Sequence, residues 1–148
     1  MSVATLPISE DLEWHTPEIP VGATDCPVDW CNGLHDAANT IGETHGTDII
    51  SATRDGKLVL EVSVSQWFSF GKWRLLNGRT VTEMPRKAII AVYLYNVDGP
   101  KSKACFFDTP DEAERVNRIF TALGQHELAT AITEAIRIAR LANRRIPR

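Results

Sequence analysis

The sequence predicts an α+β fold in which an antiparallel strand meander is packed by two C-terminal helices. Three observations carry that prediction. Asp55-Gly56, Asn77-Gly78 and Asp98-Gly99 each separate runs of strand-forming residues, and such pairs supply the positive φ angles of tight hairpin turns. Leu58, Leu60, Val62 and Val64 alternate with Val59, Glu61, Ser63 and Ser65, the period of a strand with one buried face. Beyond residue 108 the apolar residues recur three and four apart instead, the period of a helix.

In order along the chain, residues 1–24 read as an irregular acidic arm, because Pro7, Pro17 and Pro20 interrupt any regular element. Residues 25–46 hold few aliphatic side chains and cannot build a core of their own. Residues 47–148 form the α+β body. Six strands are expected in it, near 48–54, 57–66, 68–76, 79–84, 87–96 and 102–107. Ile89–Tyr95 is apolar on both faces and is read as the central strand. Thr109-Pro110-Asp111-Glu112 is a capping box with proline in the first turn. It starts a helix whose stripe is Ala113, Val116, Phe120 and Leu123, stopped by Gly124. A second helix from about His126 to Asn143 buries Leu128, Ile132, Ala135, Ile136 and Ala139.

Length and composition exclude several classes of protein. The chain has 148 residues, 43% hydrophobic and 24% charged, which is ordinary for one domain with a tail. The longest apolar run, Ala88–Leu94, is too short to span a bilayer. The first thirty residues lack a basic segment followed by an apolar one, so no secretory signal is expected. Three cysteines are too few for a disulfide framework and point to a reducing, cytoplasmic setting. No phosphate-binding loop, dinucleotide fingerprint or nucleophile elbow is present.

Charge is unevenly distributed. Residues 1–53 contain nine carboxylates and no Lys or Arg, whereas residues 54–148 hold all 16 cations against ten acids. Either the acidic arm neutralises the basic body, or the body meets an anionic partner such as nucleic acid. Arg137, Arg140 and Arg144 share one stripe of the last helix and form a candidate anion site. Trp67, Phe68, Phe70 and Trp73 interleave with Lys72, Arg74 and Arg79. That pattern can stack bases and hold phosphates, or place a core on one face of a strand. Strict alternation would put Phe68 and Phe70 on one face and Trp67 and Trp73 on the other.

The residues with distinctive chemistry are Cys26, Cys31, His35 and His45. Cys31 and His35 lie one helical turn apart, and His45 returns after a loop containing Gly42. Two thiolates and two imidazoles within twenty residues suit one tetrahedral structural zinc ion. Soft sulfur ligands argue against magnesium or calcium. Asp29, Asp36 or His15 are substitutes for one ligand, and two unliganded thiols beside two surface histidines are the plain alternative. Cys105 is read as a buried hydrophobe, and His126 and His15 as surface residues.

The segment C-P-V-D-W-C-x3-H with its later histidine resembles the N-terminal motif of a family of small, uncharacterised actinobacterial proteins, roughly C-P-x-W-C-x3-H followed by a His. The likeness continues in F-F-D-T-P-D-E-A-E-R-V near residues 106–116. There is one extra residue between the cysteines here. The resemblance implies zinc binding by Cys26, Cys31, His35 and His45 and names no reaction.

The function expected is a small zinc-stabilised, non-catalytic binding or regulatory module acting through contacts with protein or nucleic acid. Two alternatives stay open: an enzyme or accessory protein with a catalytic Cys/His metal site, and a pleckstrin-like scaffold for peptide or lipid headgroups. No membrane partner is expected, and the sequence leaves the oligomeric state unassigned.

Overall fold

Turn chemistry and strand period together build one antiparallel sheet. The computed structural model describes residues 26–32, 41–54, 57–100 and 103–148. The arm expected over residues 1–24 lies outside them. Five strands follow in order: β1 (Gly42–Arg54), β2 (Leu58–Arg74), β3 (Thr80–Pro85), β4 (Ile89–Asn96) and β5 (Lys103–Phe107). Two helices, α1 (Pro110–Ala122) and α2 (His126–Arg144), complete the α+β arrangement.

Two of the six expected strands are one. Residues 57–66 and 68–76 join into the 17-residue β2, because no Gly or Pro breaks the chain at Gln66–Trp67. β2 is consequently the hub of the sheet. Along one edge it pairs with β1, and along the other its first half pairs with β4 and its second half with β3. β4 is interior, between β2 and β5, as its two-sided apolar sequence requires. β3 and β4 together act as one long partner of β2, broken at residues 86–88. Ser65 opposes Ile89 and Phe68 opposes Pro85, so two residues of β2 face three across the break. The extra residue is a bulge, and three of the backbone groups at the break are bonded. The Arg86 amide donates to the Trp67 carbonyl at 2.7 Å. The buried Gln66 amide donates to the Arg86 carbonyl at 2.8 Å. The Ala88 amide donates to Asn143 Oδ1 of α2 at 2.8 Å.

The helices cover one face of this sheet. Val62, Val64, Ile90, Val92 and Phe107 meet Ile132, Ala135, Ile138, Ala139 and Ala142 in a continuous core. α2 is buried on more than one side, since it packs against both the sheet and α1. Asn117 of α1 joins the two helices, donating to the Ala129 carbonyl and to Thr133 Oγ1, each at 3.1 Å. Thr109 caps α1 by accepting from the Glu112 amide at 3.2 Å. The Glu112 carboxylate reaches back one residue further than a standard box, to the Asp108 amide at 3.3 Å. Gly124 takes the left-handed φ of +77° that ends the helix. Leu123 does not belong to the apolar stripe. It sits at the C-cap and is 68% exposed, because the chain has already left helical rotation there. No described helix is long and apolar enough to cross a membrane.

Candidate metal centre

The segment 26–32 carries one large apolar anchor. Trp30 is 4% exposed and belongs to the main core. Trp30 stands in a tight turn closed by the Cys31 amide donating to the Val28 carbonyl at 3.0 Å. The Asn32 amide then donates to the Gly46 carbonyl at 3.2 Å, docking the segment on the edge of β1 away from β2. That contact covers part of a strand edge that no other described strand pairs with. Asp29 completes the attachment by pairing with Arg145 just beyond α2, and that guanidinium holds the Asp29 carboxyl below the usual range.

β1 begins at Gly42, so His45 stands on a strand, not on a returning loop. Gly42 is required there. A Cβ would lie 2.4 Å from the Phe68 carbonyl oxygen and 2.4 Å from the Trp67 indole. His45 sits opposite Gln66, is 2% exposed, and packs edge-on against Phe68 with ring centroids 4.4 Å apart.

Cys26, Cys31 and His45 converge, their ligand atoms all within 4.8 Å of one another. Cys26 Sγ lies 3.3 Å from His45 Nδ1. A tetrahedral zinc with ordinary bond lengths sets a sulfur and a nitrogen about 3.6 Å apart, so this edge of the site is already near its metal-bound length. The other ring nitrogen, His45 Nε2, lies 2.8 Å from Glu43 Oε1. A carboxylate only accepts, so Glu43 draws the proton of the neutral imidazole to Nε2 and leaves a lone pair on Nδ1, aimed at Cys26. Carboxylate–histidine pairs of this kind orient metal-ligating imidazoles. Burial pushes the Cys26 thiol up; the Val28 backbone opposes that shift, while Cys31 and Glu43 add to it as neighbouring negative charge. A bound dication would relieve that crowding of thiolates and carboxylate. The donor set therefore fits a zinc ion.

Of the four expected ligands, three are brought together and His35 lies outside the described residues, as do the substitutes Asp36 and His15. Glu43 was not singled out by the sequence. The available signal was the E-x-H spacing, which places both side chains on one face only if residues 43–45 are a strand. Cys105 is half-buried against the core, and His126 opens α2 on the surface.

The last helix's cations are largely occupied. Arg137 Nε donates to both Glu134 oxygens at 3.0 and 3.1 Å. Arg140 pairs with Asp111 and Glu114 of α1, whereas Arg144 is exposed. In β2 a register shift separates Phe70 from Trp73, so strict alternation of faces does not carry across it.

Next to the segment 26–32 lies a cleft of about 190 Å³ bordered by Val28, Trp30, Gln66, Phe68, Pro85 and Arg145. Small-molecule sites usually enclose about 300–1,000 Å³, so this cleft is not shaped for a substrate of drug size. No family model matches the chain, and neither a curated protein nor a solved structure matches it.

Proposed function

We propose that Cys26, Cys31 and His45 hold one structural zinc ion, with His35 as the fourth ligand, and that the protein is a non-catalytic binding module. The observation that supports this most is the convergence of two thiols on a histidine whose tautomer Glu43 fixes. Metal bonds would tie a segment that offers one core side chain, Trp30, to the edge of β1. Four protein ligands leave no position for a substrate or an activated water. Contact with protein or nucleic acid is then the remaining role.

One observation favours a second reading. Two cysteines and one histidine are also the protein ligands of some catalytic zinc sites, where water takes the fourth position. Replacement of zinc by cobalt(II) separates the two. Four protein ligands give a visible spectrum unchanged by added azide or cyanide, and an open position gives one that shifts.

Metal content of the purified protein, measured by plasma mass spectrometry, tests the shared claim. One zinc per chain is expected. Cys31→Ser should lose it and loosen the segment 26–32, while the sheet stays folded on its own core. Full zinc retention in that variant would remove Cys31 from the ligand set.

A further inference from the structure

The distal half of the β2–β3 hairpin projects past its neighbours. β1 pairs with β2 only as far as Ser69, and β4 pairs only with residues 58–65. The Phe70 amide still donates to the Ile41 carbonyl at 2.8 Å, but from Gly71 to Leu75 and back along β3 the two strands have only each other as sheet partners among the described residues, over a length of about 17 Å. The tip is braced at one point, where the Leu76 amide donates to the Arg148 carbonyl at 3.0 Å.

The charge of this ribbon is one-sided. Between residues 70 and 85 stand Lys72, Arg74 and Arg79 against the single carboxylate of Glu83, and Arg86 and Lys87 follow at the base of the ribbon, where Arg86 Nε donates to Ser69 Oγ at 3.2 Å. All five cations are exposed, and none pairs with a carboxylate among the described residues. That contrasts with α2, where Arg137 and Arg140 are both engaged by acids. The ribbon also exposes the hydroxyl residues Thr80 and Thr82, which can donate to phosphate oxygens. At the turn, Leu76 is 91% exposed, the most exposed large hydrophobic among the described residues. Gly78, with φ of +84°, closes the turn.

We infer that this ribbon is a binding arm for double-stranded DNA, with the cations and threonines tracking the phosphates and Leu76 entering the minor groove as a wedge. A bare leucine on a short turn flanked by Arg74 and Arg79 has little use in water, but apolar wedges of this size part base steps and bend the duplex. The site of anion recognition thus moves from the expected helix stripe to the hairpin. The inference goes beyond the metal reading, since the ribbon shares no residue with the metal centre. Zinc content and duplex binding are separate readouts, and either can fail alone.

The test uses the full chain and a fluorescent 20-bp duplex carrying dyes at both ends. Anisotropy is followed across a salt series, and energy transfer reports bending. Binding with a steep inverse salt dependence is expected. Lys72→Gln/Arg74→Gln/Arg79→Gln should flatten the logarithmic salt slope by about 2.7, at about 0.9 per lost phosphate contact. Arg137→Gln/Arg140→Gln should leave it unchanged. Leu76→Ser should keep the slope and lose the bend. All positions but the half-buried Arg140 are exposed, and circular dichroism checks that each variant is folded. No duplex binding at low salt, an unchanged slope in the ribbon variant, or full bending by Leu76→Ser would each overturn the inference. Binding to phosphatidylserine vesicles without binding to the duplex would overturn it in favour of a membrane surface.

Discussion

Glu43 offers the sharpest handle on the proposed metal centre, because it touches the donor set at His45 and acts on Cys26 through charge alone. The His45 side chain is 3% exposed and that of Glu43 22%, so their 2.8 Å contact is partly shielded from water. Outer-shell partners of this type are worth about 10–100-fold in metal affinity, or about 1.4–2.7 kcal/mol. Glu43→Gln keeps an oxygen to accept from Nε2–H and loses only the charge, part of which solvent already screens. About tenfold weaker zinc binding is expected. Glu43→Leu removes the acceptor. The free imidazole can then carry its proton on Nδ1, facing Cys26, and the metal must displace it, so the loss should approach a hundredfold. Competition against a chromophoric chelator measures both. Affinities within threefold of the parent for both variants would refute the tautomer argument and leave Glu43 a bystander.

Gly42→Ala should destabilise the fold by about 1–3 kcal/mol, because its Cβ would strike the Phe68 carbonyl and the Trp67 ring; urea denaturation reads the change. Asn143→Leu leaves the Ala88 amide without its acceptor and should cost about 1–3 kcal/mol, again by urea midpoint. Arg137 lowers the Glu134 carboxyl below its usual range, so this pair's contribution exists above the ordinary glutamate pKa and fades as pH falls through the lowered one. Arg137→Gln should raise the Glu134 pKa in a carbon-detected NMR titration and flatten that acid-side dependence.

Period and turn chemistry made most of the fold legible. Val62 and Val64 are fully buried, Asn77-Gly78 turns the long hairpin, and α2 starts at His126 as its stripe requires. The strands failed where local pattern met tertiary need. Trp67 and Phe68 looked like a boundary, yet β2 runs through them because the break is placed on the opposite strand, at residues 86–88, where Asn143 can accept from Ala88. No sequence period announces a bond that spans 55 residues. The cysteines and His45 were legible by residue type alone. Glu43 was not, since its role depends on β1 beginning at Gly42. The helix arginines were visible as a stripe, but the pairing of Arg140 with Asp111 and Glu114 from α1 depends on how the two helices pack.

The metal loop and the cationic ribbon meet at the end of α2. Arg145 pairs with Asp29 in the loop, and the Arg148 carbonyl holds the Leu76 amide at the ribbon tip. This segment is the route by which removing the proposed zinc would loosen the ribbon. The magnitudes argue against strong coupling. Arg145 and Asp29 are 51% and 62% exposed, and pairs so well solvated contribute about 0–1 kcal/mol. α2 itself is fixed by Ile132, Ala135, Ile138 and Ala139, which belong to the main core and need no metal. Chelation should therefore speed amide hydrogen exchange across residues 26–32 and 42–46 and leave residues 58–65 protected. Because less than about 1 kcal/mol can pass through the Arg145 contact, duplex affinity should fall by no more than about fivefold by that route. Loss of duplex binding on chelation, with residues 58–65 still protected, would show that the loop supports the ribbon through more than the Arg145 contact.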